Sequence, residues 1–253
     1  MLKVRIIPTM LYKDVGLVKG VGFDSWRRTG SAVQAVKVYN MREVDEVVLL
    51  DIAATPNQKP PDFATVDDLA DECFMPLAVG GGVRSVEDVR RLLKVGADKV
   101  AINTAAVENP ELVRQVSSRF GSQCVVISID YRRRANGHYE AFTHCGTRAT
   151  GIDPVELAQR MESLGAGEIL LTSIDRDGTM EGYDIEATRR VSTAVTIPVI
   201  ASGGAGNYDH MAEVLSEGKA TDVAAASIFH FTQQTPLEAK KYLAARGFHT
   251  RCS

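Results

Sequence analysis

Pro76-Leu-Ala-Val-Gly-Gly-Gly82 and Pro198-Val-Ile-Ala-Ser-Gly-Gly204 are two writings of one pattern, a short apolar run that stops abruptly on glycines. Such a run reads as a buried strand whose C-terminal end carries no side chains, so that a ligand there can meet backbone N–H groups. Subtracting 76 from 198 gives an offset of 122 residues, about half of the 253-residue chain. Glu46-Val-Val-Leu-Leu-Asp51 returns as Glu168-Ile-Leu-Leu-Thr-Ser173, and 168 minus 46 is again 122. General likeness among buried strands explains either match alone but not the shared offset. The chain reads as a duplicated half-domain.

Working outward, apolar strand-like runs fall at about 4–10, 46–52, 76–80, 98–103, 124–130, 168–174, 198–202 and 222–227. Helix-period segments alternate with them at 31–44, 64–73, 85–95, 109–119, 153–165, 184–194, 208–217 and 236–245. Ser85-Val-Glu-Asp88 reads as a capping box, and Asn109-Pro110 and Asp153-Pro154 place proline in a first helical turn. Eight strand–helix alternations match the size and period of an α/β fold of the (βα)₈ TIM-barrel type, here a duplicated half-barrel. A doubly wound open sheet is the alternative. No linker interrupts the chain, so residues 1–253 read as a single barrel domain. The segments 12–30, 55–62 and 131–150 read as long loops, the last turning at Asn136-Gly137. All three follow strands, so they belong at the face where barrels place their chemistry.

A hydrophobic fraction of 45% fills a substantial core, and a net charge of −3 asks for neither nucleic acid nor an anionic membrane. No apolar stretch reaches the ~18 residues of a membrane span, and Arg5-Ile-Ile-Pro8 is too short for a leader. A cytoplasmic protein is expected. The four cysteines, Cys73, Cys124, Cys145 and Cys252, lack C-x-x-C spacing. Cys73 and Cys124 sit in apolar runs and read as small core residues; neither a metal nor a cofactor is called for.

Phosphate binding is the first chemical inference. Gly82 after the third strand and Gly204 after the seventh offer backbone donors, with Asn103, Thr104 and Ser227 adding side chains after the fourth and eighth. Duplication then implies two anion sites on opposite sides of the mouth and a ligand with a phosphate at each end. The competing reading is that the glycines serve only tight turns. Asp130 ends the fifth strand behind an apolar run, where partial burial raises a carboxyl toward useful acid–base values. Asp51 ends the second strand. In Asp175-Arg-Asp-Gly178, Asp175 and Asp177 flank Arg176 and read equally as a loop-fixing ion cluster. Lys19 reads as a lysine reaching over a bound phosphate or as an ordinary surface residue.

Arg5-Ile-Ile-Pro8, Lys19-Gly20, Val79-Gly-Gly-Gly82, Gly96-Ala-Asp-Lys-Val100, Ile102-Asn-Thr-Ala-Ala106, Phe120-Gly-Ser-Gln123, Gly165-Ala-Gly-Glu-Ile-Leu-Leu-Thr-Ser173, Asp175-Arg-Asp-Gly178 and Ile200-Ala-Ser-Gly-Gly-Ala-Gly206 resemble the HisF family. That family comprises the cyclase subunit of imidazole glycerol phosphate synthase and its paralogues. The resemblance covers essentially the whole chain. It implies a (βα)₈ barrel and a bis-phosphorylated ribulosyl-formimino-carboxamide nucleotide as substrate. It also implies a heterodimer with a HisH-like glutaminase that sends ammonia along the barrel axis. The ligand site so implied comprises Lys19, Asp51, Gly82, Asn103, Thr104, Thr172, Asp177, Gly178, Ser202, Gly204 and Ser227. The matching ammonia-gate positions are Arg5, Glu46, Lys99 and Glu168, for which a plain salt-bridge layer is the rival reading. Asp98 and Gln123 match positions facing the glutaminase.

One position departs from the family. HisF proteins use paired aspartates ending the first and fifth strands; Asp130 matches one, and Leu11 stands where the other belongs. Losing one acid–base group typically costs about 10²–10⁴ in rate. Asp14, three residues on, substitutes only if its loop folds inward. Paralogues of surface-polysaccharide synthesis, which hand ammonia to a sugar amidotransferase, resemble the chain at Phe23-Asp-Ser-Trp26, Val44-Asp-Glu46 and Glu72-Cys-Phe-Met-Pro76. A non-catalytic activator of the glutaminase is a third expectation. The sister isomerase fits less well, because it too needs both aspartates and lacks the four-charge gate.

Overall fold

A computed structural model describes residues 3–14 and 16–251. The first run forms β1 (Ile6–Lys13), which doubles back through β2 (Gly16–Val21) and β3 (Asp24–Gly30) before α1 (Ala32–Met41). Then follow β4 (Val47–Asp51), α2 (Phe63–Ala70), β5 (Leu77–Gly80), α3 (Val86–Lys94) and β6 (Lys99–Ile102). A short helix α4 (Thr104–Glu108) precedes α5 (Glu111–Phe120). The second half opens with β7 (Val125–Arg133), extended by β8 (Tyr139–Thr143) and β9 (Arg148–Ala149), then α6 (Pro154–Ser163) and β10 (Glu168–Ser173). It closes with α7 (Ile185–Ser192), β11 (Val199–Ser202), α8 (Tyr208–Ser216), β12 (Asp222–Ala225), a short α9 (Ser227–Phe231) and α10 (Pro236–Ala245).

Eight strands pair in parallel in the order β1-β4-β5-β6-β7-β10-β11-β12, and β12 returns to β1. The sheet is therefore a closed (βα)₈ barrel and not an open doubly wound sheet. Side chains alternate across it. Ile7, Val48, Ala78, Ala101, Val126, Leu170, Ile200 and Ala224, one from each barrel strand, form the cluster inside. Outward neighbours such as Met10, Leu49, Val79 and Ile127 join the larger core beneath the helices. Asp62, Ser85, Asp153 and Asp184 each cap a helix N-terminus with a side-chain acceptor, and the Ser85–Asp88 capping box is complete.

The duplication is visible in how the halves pack. Gly81 (φ +109°) and Gly203 (φ +90°) are equivalent positions at the ends of β5 and β11. A Cβ on Gly81 would lie 2.3 Å from the Asp51 carbonyl oxygen, and one on Gly203 would lie 2.6 Å from that of Ser173. Asp51 and Ser173 are themselves 122 residues apart. Both glycines thus let the end of the preceding barrel strand approach backbone to backbone, which alone accounts for their glycine identity.

Two of the expected loops are corrected. Residues 16–30 form the β2–β3 hairpin: β1 runs past the barrel to Lys13, Asp14 has φ +57°, and Leu11 pairs with Val18 antiparallel. Residues 131–150 hold the matching hairpin, with β7 running on to pair Asp130 with Phe142 around the Asn136-Gly137 turn. The short helices α4 and α9, absent from the sequence reading, start at equivalent places after β6 and β12. Pro110 stands just ahead of α5 as its cap instead of inside it. No helix among the described residues is long and apolar enough to cross a membrane.

Candidate functional site

At the N-terminal end of the barrel, four charges close a ring. Arg5 Nη1 lies 2.8 Å from Glu46 Oε2 and 3.0 Å from Glu168 Oε1, and Lys99 Nζ lies 2.7 and 2.9 Å from the same two oxygens. The strand starts bring these groups together because each is the inward-facing residue one turn of alternation below the apolar cluster. Asp222, which the sequence reading missed, completes the ring as a fifth member. It accepts from Arg5 Nε, Nη2 and the backbone N–H at 3.1, 2.7 and 2.8 Å. Its signal was available, since it opens the eighth apolar run with a charge as the other four do. Burial works against the Arg5 cation, but Asp222, Glu46 and Glu168 hold its pKa above the ordinary value. Burial pushes the Glu46 carboxyl up while Lys99 and Arg5 pull it back. Asp98 and Gln123 are exposed at this same end, where Asp98 Oδ2 accepts the Leu77 N–H at 2.8 Å.

At the opposite end a mouth opens between the loops. Every residue expected at the ligand site lines it: Lys19, Asp51, Gly82, Asn103, Thr104, Asp130, Thr172, Asp177, Gly178, Ser202, Gly204 and Ser227. Thr9, Phe23, Trp26, Thr55, Ser128 and Cys145 line it too and were not singled out. Thr9 and Ser128 had a signal in strand alternation. Phe23 and Trp26 reach the mouth only because the β2–β3 hairpin folds over it.

Asp130 is buried, with Asn103 Nδ2 at 3.2 Å from Oδ2 and Ser128 Oγ at 3.4 Å from Oδ1. Burial raises its pKa to about 7, with the Ser128 hydrogen bond opposing and the Asp177 charge adding to the rise. The carboxyl is thereby poised to give or take a proton near neutrality. Across the barrel from β7 lies β1, and the mouth-lining residues there are Thr9 and Leu11, both buried. Asp14 is exposed at the hairpin tip and does not line the mouth. No second carboxylate therefore faces Asp130 from β1.

The remaining acids are committed to loops. Asp51 Oδ1 accepts the N–H groups of Ala53 and Ala54 at 2.9 and 3.0 Å, and burial raises its pKa against those bonds. Lys19 is no surface lysine. It is 2% exposed and lies 2.6 Å from Asp177 Oδ2, tying the hairpin to the loop after β10. Burial raises the Asp177 pKa and Lys19 opposes it. The acids of the Asp175-Arg-Asp-Gly178 turn fix loops through partners outside the turn: Asp175 pairs with Arg132 at 3.5 Å and accepts the Arg133 N–H at 2.9 Å, as Asp177 pairs with Lys19. Cys73 and Cys124 are half-buried at the core's edge, a correction to their expected place inside it, and Cys252 lies outside the described residues. Among the described residues no cluster of three or more His, Cys, Asp or Glu side chains could hold a metal ion.

A closed (βα)₈ barrel with a buried, near-neutral carboxyl at the floor of a loop-lined mouth has the architecture of a barrel enzyme acting at its C-terminal face. A family model described as Histidine biosynthesis protein matches residues 5–235, a stretch that includes both the charged ring and the mouth. The chain belongs to that family, which contains HisF and HisA, and is a barrel enzyme of the histidine-biosynthesis type.

Proposed function

We propose that the chain is a HisF-like barrel subunit of a glutamine-dependent synthase. It takes ammonia from a HisH-like glutaminase at the charged ring and delivers it to a phosphorylated ligand in the mouth. One observation carries the reading: the ring, the eight-residue apolar layer and the Asp130 mouth are stacked along one axis. A ring in which two cations are shared among three carboxylates keeps each charge paired, so it can part for a small polar molecule with modest desolvation loss. The apolar layer above it favours neutral ammonia over ammonium, because a lone cation there has no partner. Asp130, able to hold or release a proton near pH 7, then serves proton transfer where the nitrogen arrives.

In the HisF reading the ligand is the bis-phosphorylated ribulosyl-formimino-carboxamide nucleotide, cleaved and cyclised to imidazole glycerol phosphate in a lyase reaction. Leu11 argues against that reaction at full rate, because leucine moves no proton. It favours a second reading, in which the same barrel passes ammonia to a sugar amidotransferase of surface-polysaccharide synthesis. Mixing the purified chain with a HisH-like glutaminase tests the part common to both. The expected result is a one-to-one complex with faster glutamine hydrolysis, weakened by Asp98→Arg at the ring end. Absence of any complex refutes the ammonia-receiving role.

A further inference from the structure

In the ring at the N-terminal end every charge touches an opposite one, yet the charges do not cancel. Arg5 and Lys99 bring two cations, whereas Glu46, Glu168 and Asp222 bring three carboxylates, a surplus of one negative charge. Glu168 accepts on both oxygens, from Arg5 and from Lys99. Asp222 accepts on both from Arg5. Glu46 accepts only on Oε2, from Arg5 Nη1 at 2.8 Å and Lys99 Nζ at 2.7 Å. Its Oε1, on the same carboxyl carbon, is buried and has no hydrogen-bond partner among the described residues. The surplus charge and the unused acceptor are separate observations made at one place.

A buried acceptor without a donor carries a desolvation penalty that a bound donor removes, and a buried charge without compensation costs more. Two occupants answer both: a proton on Glu46, or a monovalent cation that carries its own N–H donors. Burial pushes the Glu46 carboxyl up, Lys99 and Arg5 oppose, and Glu168 adds to the rise, so a proton is held there more readily than on an ordinary glutamate. A bare metal ion suits the ring poorly, since Lys99 bridges Glu46 and Glu168 and no cluster of three acids among the described residues could hold one. Two residues further along each strand stand Ile7, Val48, Ala101, Leu170 and Ala224 of the apolar layer, which stops any cation that keeps its charge.

We infer that the ring binds one ammonium ion at Glu46 Oε1 and that Glu46 takes a proton from it, so that ammonia alone goes on into the barrel. One N–H bond breaks and leaves its electron pair on nitrogen, and an O–H bond forms on Oε1. The ring is electrically balanced before the transfer, by the ammonium charge, and after it, by the proton. That proton returns to solvent at the ring end, where Arg5, Lys99 and Glu168 are each slightly exposed. The charged groups facing Glu46 are Arg5 just ahead of β1, Lys99 of β6 and Glu168 of β10, with Asp222 of β12 acting through Arg5. The inference rests on the ammonia-receiving role proposed above and adds the step at which ammonium is sorted from ammonia.

Titration of the full chain with ammonium chloride tests it, at constant ionic strength made up with potassium chloride and followed by the amide chemical shifts of the ring residues. Ammonium should give a saturable one-site curve, and tetramethylammonium, which has no N–H, should give none. Glu46→Gln should weaken ammonium at least about tenfold, the worth of one hydrogen bond to a charged group. Glu111→Gln, an exposed carboxylate on α5, should change it by less than about twofold. Affinity should rise from pH 5 to pH 7, because ammonium must displace the proton that the raised Glu46 carboxyl holds. Should Glu46→Gln melt early, Glu168→Gln removes the same surplus charge and should show the same loss. Equal responses to potassium and ammonium, unchanged affinity in both variants, a flat pH profile, or no saturable binding would each overturn the inference. The glutaminase complex is measured separately, so its formation would leave the ammonia-receiving role standing in every one of those cases.

Discussion

Replacing Asp130 with asparagine should stabilise the protein, and more so at pH 8 than at pH 5. In the folded chain Asp130 titrates at about 7, against 3.8 for an unperturbed aspartate. Between those two values the folded state holds a proton that the unfolded state has released, so stability falls as pH rises through this window. From pH 5 to pH 7 the loss accumulates to about 3 kcal/mol at 1.36 kcal/mol per unit, and above pH 7 it stays constant. The carboxamide of the Asp130→Asn variant cannot ionise and keeps the same shape, accepting from Asn103 and donating to Ser128. The stability gap between variant and parent should therefore widen by about 3 kcal/mol from pH 5 to pH 8. For a chain of this length that is a differential shift of about 5–10 °C in Tm. Thermal unfolding of both proteins at the two pH values reads it directly. Equal Tm differences at both pH values, or a variant less stable than the parent at pH 8, would show that Asp130 is ionised in the folded mouth and that its acid–base role is misassigned.

Other consequences are as sharp. Asp222→Ala removes three contacts to Arg5, and should cost about 3–5 kcal/mol by chemical denaturation, the usual penalty for breaking a buried ion pair. Lys19→Met strands Asp177 and should cost a similar amount; adding Asp177→Asn should recover most of it, which a double-mutant cycle measures. Gly203→Ala meets the Ser173 carbonyl at 2.6 Å and should cost about 3 kcal/mol. Gly137→Ala, with nothing within 4 Å of the new methyl, should cost only about 1–2 kcal/mol of left-handed strain.

Much of this was legible in the chain itself. The eight apolar runs and eight long helices stand within a few residues of their expected places, because parallel barrel strands are buried on both faces and read as unbroken Val/Ile/Leu stretches. The β2–β3 hairpin was not legible. Gly16-Leu-Val-Lys-Gly-Val21 mixes glycine and lysine with apolar residues, and its pairing is decided by the protruding end of β1, a tertiary fact. The burial of Lys19 escaped for the same reason, since its partner Asp177 lies 158 residues away. The mouth residues were legible as a set because they recur at strand ends. Which of their donors are already engaged was not, since Thr104 accepts the N–H of His144, forty residues further along the chain.

The central claim is that nitrogen reaches a mouth in which Asp130 works without a carboxylate opposite it on β1, where Leu11 stands. The most direct measurement is turnover of the bis-phosphorylated ribulosyl-formimino-carboxamide nucleotide by the purified chain with ammonium salts. The account predicts a rate at least about a hundredfold below an ordinary enzymatic turnover of ~1 s⁻¹. Turnover at or above ~1 s⁻¹ would contradict it.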